Sequence, residues 1–261
     1  MKVLFIGDII GKAGRRAVKE LVPGLKNKHS IDIVIANGEN AAGGFGIIPK
    51  LAEELFSYEV DLITSGNHIW DKKEIYPYLD CGAPLIRPGN YPAGNPGKGS
   101  YLLETPVGER LSVINASGRV FMAPIDCPFK YLEKEIEAVK TETKAILVDF
   151  HAEATSEKRA MGLFLDGKVS CVVGTHTHIQ TADEKVSSKA TGYITDVGMT
   201  GGTDSVIGVK AEEPILKFLT GMPAKFETAN NDIELQGVVL EINSTDGKCL
   251  SIKRVKEPLN G

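Results

Sequence analysis

No two cysteines in this chain are spaced to share a metal. Cys81, Cys127, Cys171 and Cys249 are scattered and no C-x-x-C pair occurs, which argues against a thiolate zinc site. Free, mostly buried thiols in a reducing compartment are the plainer reading. No block of lysines and arginines forms a basic stripe and the net charge is -4, so the electrostatic footprint of a duplex-DNA binder is absent. A small phosphate ligand stays open, because a bound metal reverses the local field. No uninterrupted apolar run approaches the roughly 18 residues needed to span a bilayer. The opening MKVLFIGDIIGKAG is broken by Asp8 and has no small-residue cleavage site, so it reads as a first strand and not a signal peptide. The expectation is a soluble, cytoplasmic protein with no membrane partner. Internal repeats and low-complexity segments are also lacking.

What the chain does have is a regular alternation. Of its 261 residues 42% are hydrophobic, enough for a full core, and residues 1–261 are read as a single domain. KVLFIG, DIVIAN, DLITSG, KAILVDF and CVVG are short apolar runs with the length and composition of buried strands. GRRAVKELVPGLKNKHS, PKLAEELFSYE, DKKEIYPYL and YLEKEIEAVK carry helical spacing. Pro23 is expected to kink or end the first of these helices early. Pro49 falls near a first turn, where its missing N–H is harmless. Residues 84–99 are rich in proline and glycine and read as a loop. SYLLET and RLSVIN follow as strands, and TGYITDVG, IELQGVVLEI and CLSIKRV supply late ones, expected to be antiparallel. The class is α/β or mixed α/β.

The predicted strands end in potential metal ligands: Asp8, then Glu39 and Asn40, then Asn67 and His68, then His151, then His176 and His178. In open α/β sheets the ligand crevice lies outside the carboxyl ends of the strands, so distant segments would deliver carboxylate, amide and imidazole groups to one edge. His176 and His178 are two apart, and in an extended segment both would face one side. Taken singly, each histidine could be a hydrogen-bonded surface or core residue, Asn67 a turn residue and Asp8 a helix cap. Their joint occurrence at strand ends favours a metal centre. A nitrogen and oxygen set without thiolate suits Zn, Fe, Mn or Ni, and so many donors suit two ions about 3.5–4 Å apart with a bridging carboxylate. Such a site is net positive, attracts phosphate and makes hydroxide available near neutral pH. His29, in KNKHS, reads as a solvated helix-end residue.

GD at 7–8, GEN at 38–40, GNH at 66–68, His151 and GTHTH at 174–178 resemble the ordered blocks of calcineurin-like metallophosphoesterases. GDIIGKAGR, ANGENAAGGFGI, TSGNHIWD, DFHAEATSEK, GTHTHIQTAD and TDVGMTG are more closely similar to the YmdB-type branch of 2′,3′-cyclic-nucleotide 2′-phosphodiesterases. The likeness runs from residue 1 to about residue 255. It implies an αββα sandwich, two packed mixed β-sheets flanked by helices, and a homo-oligomer. It also implies a dinuclear centre in which Glu39 bridges, Asp8, Asn40 and His178 complete one site, and Asn67, His151 and His176 complete the other. His68 would be no ligand. It would act as the general acid that protonates the leaving ribose oxygen, a role that suits a group titrating near neutral pH; the alternative is a histidine that only orients the phosphate.

One departure separates the chain from the wider superfamily. The common first block is D-x-H, but here Asp8-Ile9-Ile10 lacks the histidine. The bridging position holds Glu39 where most relatives use Asp, and Asn40 follows as the residue expected to fill the vacant coordination position. An amide oxygen is a poorer donor than imidazole, so the two ions are expected to be Fe or Mn, with Mg or Zn as alternatives. The expected function is a phosphodiesterase acting on cyclic nucleotides, 2′,3′-cyclic or 3′,5′-cyclic, by attack of a bridging hydroxide. A phosphomonoesterase, and a metal-binding regulatory protein of RNA metabolism that depends on partners more than on turnover, are the rival readings. The expected partner is a small phosphodiester. GDIIGKA is one residue short of a Walker A loop and has Ala13 at the magnesium-binding position, so it is set aside. Phe45, in AAGGFG, could stack on a nucleobase, although half-buried packing is the plainer role. Arg87 is a candidate for the pocket wall.

Overall fold

A computed structural model of the chain describes residues 1–260. In chain order the strands are β1 (Lys2–Ile6), β2 (Asp8–Ile9), β3 (Ile33–Asn37), β4 (Leu62–Thr64), β5 (Ser100–Glu104), β6 (Arg110–Ser117) and β7 (Ile146–His151). They continue as β8 (Cys171–Thr175), β9 (Lys185–Val186), β10 (Gly192–Ile194), β11 (Met199–Gly202), β12 (Ile233–Ile242) and β13 (Cys249–Pro258). The helices are α1 (Gly11–His29), α2 (Pro49–Ser57), α3 (Ile75–Leu79), α4 (Pro128–Val139), α5 (Thr155–Phe164) and α6 (Glu212–Thr220). A 3-10 turn spans Asn67–Trp70.

The strands form two mixed sheets. In the first, β1, β3 and β4 run parallel, and β12 pairs antiparallel with β1, β11 and β13. In the second, β6, β7, β8 and β10 run parallel, with β5 and β9 antiparallel at its two edges. Alternation along each strand decides the layers, because successive side chains point to opposite faces. In β1, Leu4 and Ile6 pack against Val18, Val22 and Leu25 of α1, while Val3 and Phe5 face the other sheet. In β7, Ile146, Val148 and Phe150 pack against Leu132 of α4 and Met161 of α5, while Leu147 faces inward. Three apolar layers therefore separate four structural ones, α/β/β/α. The inner layer, with Phe5, Ile35, Leu147, Val173 and Val238, holds the two sheets together, each such side chain contributing roughly 1.5–3 kcal/mol on burial.

The same alternation carries polar groups inward at the strand ends. Asn37 of β3 follows Ile33 and Ile35 on the inner face, Asn115 of β6 follows Leu111 and Val113, and Asp149 and His151 of β7 follow Leu147. The inter-sheet layer is thus apolar over most of its depth and polar at the carboxyl ends of the parallel strands, where all of these residues are buried.

Two expectations change. Helix α1 does not stop at Pro23 but continues to His29, where Ser30 caps it in the left-handed conformation. Pro23 is exposed, so the carbonyl it leaves unpaired can be hydrated while Val18, Val22 and Leu25 keep the buried face attached. Helices α5 and α6 are also present in segments without a predicted element. Helix α6 carries a proline in its first turn and ends at Gly221 in the left-handed region, the asymmetry that marks many helices. Among the described residues, no helix is long and apolar enough to cross a membrane.

Candidate metal centre

Every strand that ends in a candidate ligand delivers it to one place. Asp8 opens β2 directly after β1, Glu39 and Asn40 lie just past β3, and Asn67 and His68 sit in the 3-10 turn after β4. His151 is the last residue of β7, and His176 and His178 follow the end of β8. Asp8, Glu39 and His151 are fully buried.

Two groupings meet at Glu39. On one side, His151 Nε2 lies 3.1 Å from Glu39 Oε1, 3.0 Å from Asn67 Oδ1 and 3.0 Å from His176 Nδ1. On the other, His178 Nε2 lies 3.3 Å from Asn40 Nδ2 and 3.8 Å from Asp8 Oδ1, and Asn40 Nδ2 donates to Glu39 Oε1 at 3.2 Å. Turning the Asn40 amide over presents its oxygen to the same place. Metal-capable atoms of Glu39, His151 and His176 all fall within 4.8 Å of one another. The approach is tight enough that Gly66 admits no side chain, since a Cβ there would collide with His151 Nε2 and Glu39 Oε2.

The remaining ring nitrogens are fixed by neighbours that decide where the protons sit. Thr175 Oγ1 donates to Asp149 Oδ1 at 2.7 Å, so its contact of 2.9 Å with His151 Nδ1 is an N–H donated to Thr175. His178 Nδ1 donates to the carbonyl of Ile207 at 2.8 Å. His176 Nε2 lies 3.1 Å from the carboxylate of Glu153. Each outer nitrogen has an acceptor, which turns the inner nitrogen of each imidazole toward the cluster, as outer partners of ligating histidines do. Asp8 Oδ1 is buried and has no hydrogen-bond partner. Inward-facing lone pairs and an orphaned carboxylate oxygen are the arrangement a cation satisfies, so the residues fit metal ions.

The electrostatics point the same way. Burial works against a charged His151, but the Glu39 carboxylate, with Asp8 and Asp149 nearby, outweighs it and raises the imidazole to about 9. Burial likewise opposes ionisation of Glu39, yet His151 and then His68 hold its carboxyl at about 2. Burial raises Asp8 to about 6, only partly offset by His178 and His151. His176 falls to about 3, through burial and then the neighbouring His151. Without metal, the proton on His151 is thus the positive charge that the carboxylates demand.

This has a measurable consequence. The folded-state value for His151 lies above its ordinary 6.5, so its contribution to stability is complete below pH 6.5 and disappears as pH rises toward 9. Chelated protein is expected to lose about 3 kcal/mol of stability across that window, read as a falling Tm from pH 6.5 to 9. Saturating Mn²⁺ should flatten the profile, because the metal replaces the proton. A chelated protein whose Tm holds level over that range would count against the charged ring.

Several expectations need correction or completion. The HTH segment is not extended: His176 and His178 have φ of 97° and 63°, conformations that cost roughly 1–3 kcal/mol each. The two rings therefore diverge, His176 to His151 and His178 to Asn40 and Asp8. Thr177 between them is clamped by the buried Asp196, whose Oδ2 accepts from Thr177 N at 3.1 Å, Thr177 Oγ1 at 2.8 Å and Lys158 Nζ at 2.6 Å. Asp8 caps no helix, because α1 has Ile10 at its N-cap and no side-chain cap. Arg87 leaves the pocket wall. It is buried and donates to the carbonyls of Pro88, Asn95 and Pro96, binding the proline-rich loop to itself.

His68 stands beside the cluster. Its backbone N–H donates to Glu39 Oε2 at 3.0 Å, and its Nδ1 lies 2.8 Å from Asp71 Oδ2. Phe45 is partly exposed and meets the His68 ring edge-on at 5.1 Å. Both line a cavity of about 470 Å³ that Glu39, Asn40, His176 and His178 also border. Asp71, Glu153, Lys158 and Asp196 were not among the candidates. Asp149 had a signal, since it stands two residues before His151 and so on the same strand face.

Over nearly its whole length the chain is similar to known proteins. The model of the YmdB-like protein family matches residues 4–255. A 2′,3′-cyclic-nucleotide 2′-phosphodiesterase of Bacillus subtilis (strain 168) is 47% identical over 255 residues, covering 98% of this chain and 96% of the relative. A protein of Thermus thermophilus has a crystal structure that superposes with TM-score 0.92 at 43% identity over 99% of both chains. The crystal structure of a Mycoplasma pneumoniae protein described as a novel phosphatase superposes with TM-score 0.92 at 36% identity, over 99% of this chain and 93% of that one.

Proposed function

The chain belongs to the YmdB-like family, and from that premise we propose that it is a metal-dependent phosphodiesterase that opens 2′,3′-cyclic nucleotides at the 2′ bond. The carrying observation is the pair of groupings that share Glu39, His151 with Asn67 and His176 on one side and His178 with Asn40 and Asp8 on the other. The reading assigns one metal ion to each grouping, with Glu39 between them and Fe or Mn as the ions. Once bound, the ions supply Lewis acidity toward the phosphate and lower the pKa of water.

The chain's own residues do the rest. Asn40 and Asn67 add neutral oxygens and so leave the site net positive for an anionic diester. Asp71 accepts the Nδ1 proton of His68, which orients the ring and leaves Nε2 to hand a proton to the departing ribose 2′ oxygen. Breaking that P–O bond leaves the phosphate on the 3′ oxygen. Ile10 contributes no proton relay where other superfamily members carry a histidine.

The test runs bis(p-nitrophenyl) phosphate, p-nitrophenyl phosphate and 2′,3′-cyclic AMP in parallel, after chelation and after reloading with Mn, Fe or Zn. Hydrolysis of both diesters that vanishes on chelation and returns with Mn or Fe is expected. Turnover indifferent to chelation, or none with any of the three metals, would overturn the proposal. Monoester turnover matching that of the diesters would move the reading to a phosphomonoesterase, in line with the description of the Mycoplasma pneumoniae neighbour as a phosphatase.

A further inference from the structure

The cavity has a second end that the phosphate chemistry leaves unused. Beside the polar cluster the lining includes apolar residues: Val206, Ile207 and Val209 from one loop, then Phe218 and Phe226 from α6 and the segment after it. Phe218 is 82% exposed, a large apolar surface left open to water at the mouth of a polar site. Lys217 Nζ stands 5.3 Å over the ring of Phe226, so one cation and one aromatic face are presented together. This wall is tied to the cluster itself, because the carbonyl of Ile207 accepts the Nδ1 proton of His178. Phe45 also lines the cavity, in edge contact with His68.

We propose that this apolar end is the seat of the nucleobase, with Phe226 as its stacking face and Lys217 as a donor to a ring nitrogen or carbonyl of the base. The assignment rests on the cyclic-nucleotide phosphodiesterase reading above and adds the residues that would recognise the base. A cavity of about 470 Å³ lies in the usual range of roughly 300–1,000 Å³ for small-molecule sites. Glu39 and His178 line the same cavity as Phe218 and Phe226, so an ester held by its phosphate at the polar cluster has these rings within the same enclosure for its base. Stacking tolerates every base, since each has a π-face, so the site should favour bases over no base more than one base over another.

The experiment compares kcat/KM for 2′,3′-cyclic AMP with that for 1-O-methylribofuranose 2′,3′-cyclic phosphate, which lacks the base. Wild type is expected to prefer the nucleotide by about tenfold or more, and Phe226→Ala to lower that preference by roughly fivefold or more, toward parity, chiefly through KM. Phe226→Trp should restore it, and Lys217→Gln, a change at an exposed residue, should weaken it. Equal kcat/KM of wild type on the two diesters, or a Phe226→Ala loss equal on both, would overturn the base site. Should neither diester turn over, the phosphodiesterase reading fails separately, and calorimetry with adenosine 3′-monophosphate against ribose 3-phosphate decides the base site alone. Tighter binding of the nucleotide, weakened in Phe226→Ala, supports it, and equal affinity refutes it.

Discussion

Glu39→Gln is expected to lose metal and turnover together. Its carboxylate touches both halves of the cluster, accepting from Asn40 at Oε1, from the backbone of His68 at Oε2, and facing His151 at 3.1 Å. The amide keeps the shape but removes a buried negative charge that, with Asp8, draws cations in. On the two-ion reading, ions held side by side without a shared carboxylate would repel one another. Metal content, read by plasma mass spectrometry after dialysis, should fall, and diesterase kcat/KM should drop by about a thousandfold, the several kcal/mol that metal assistance contributes. The fold should survive, because the substituted amide preserves the backbone and volume of the site. A variant that binds two ions and turns over at near wild-type rate would remove Glu39 from the centre.

Lys158→Met should cost about 3–5 kcal/mol of stability, the usual result of stripping one partner from a buried ion pair. Lys158 and Asp196 are 2% and 0% exposed, and the bond between them is 2.6 Å. With the ammonium gone, Asp196 remains charged in the interior while still accepting from Thr177 and Gly198. Adding Asp196→Asn to Lys158→Met should recover much of the loss in urea unfolding, since the uncompensated charge goes with it. The double variant should nevertheless bind metal more weakly, because Thr177 then has a neutral anchor while His176 and His178 keep their positive φ. A loss below about 1 kcal/mol in the single variant, the range of an exposed pair, would show that the pair is solvated.

Much of the site was legible because strand ends are legible. An apolar β run followed by Asp, Glu, Asn or His announces both the strand and the edge to which its end is delivered, and Asp8, Glu39, Asn40, Asn67, His151, His176 and His178 all come together there. The alternation of β7 even placed Asp149 on the face of His151. What stayed hidden depends on long-range contacts. Nothing local to Lys158 says that its ammonium enters the interior, because its partner is Asp196, beyond the end of β10. Arg87 looked like a pocket residue because charge is normally exposed; three carbonyls of its own loop absorb it instead. The HTH loop misled for a related reason: strand propensity gave an extended backbone, and the Asp196 clamp imposed another. Pro23 shows that a helix breaker on the solvent side can be outvoted by the apolar side.

The pairing of β1 with β12 bears on when this protein becomes competent. Strand β1 lies between β3, its near neighbour in sequence, and β12, which comes from the far end of the chain. During synthesis β1, β3 and β4, and every candidate ligand from Asp8 to His178, precede β12 and β13, and the first sheet keeps an open flank until those strands arrive. Pairings that close so large a loop form late and slowly, and an unpaired edge is a hazard while it lasts. Strands β12 and β13, which contribute no candidate ligand, therefore act as the keystone of the site. The candidate ligands are thus all made before the strand that completes the sheet carrying Asp8 and Glu39.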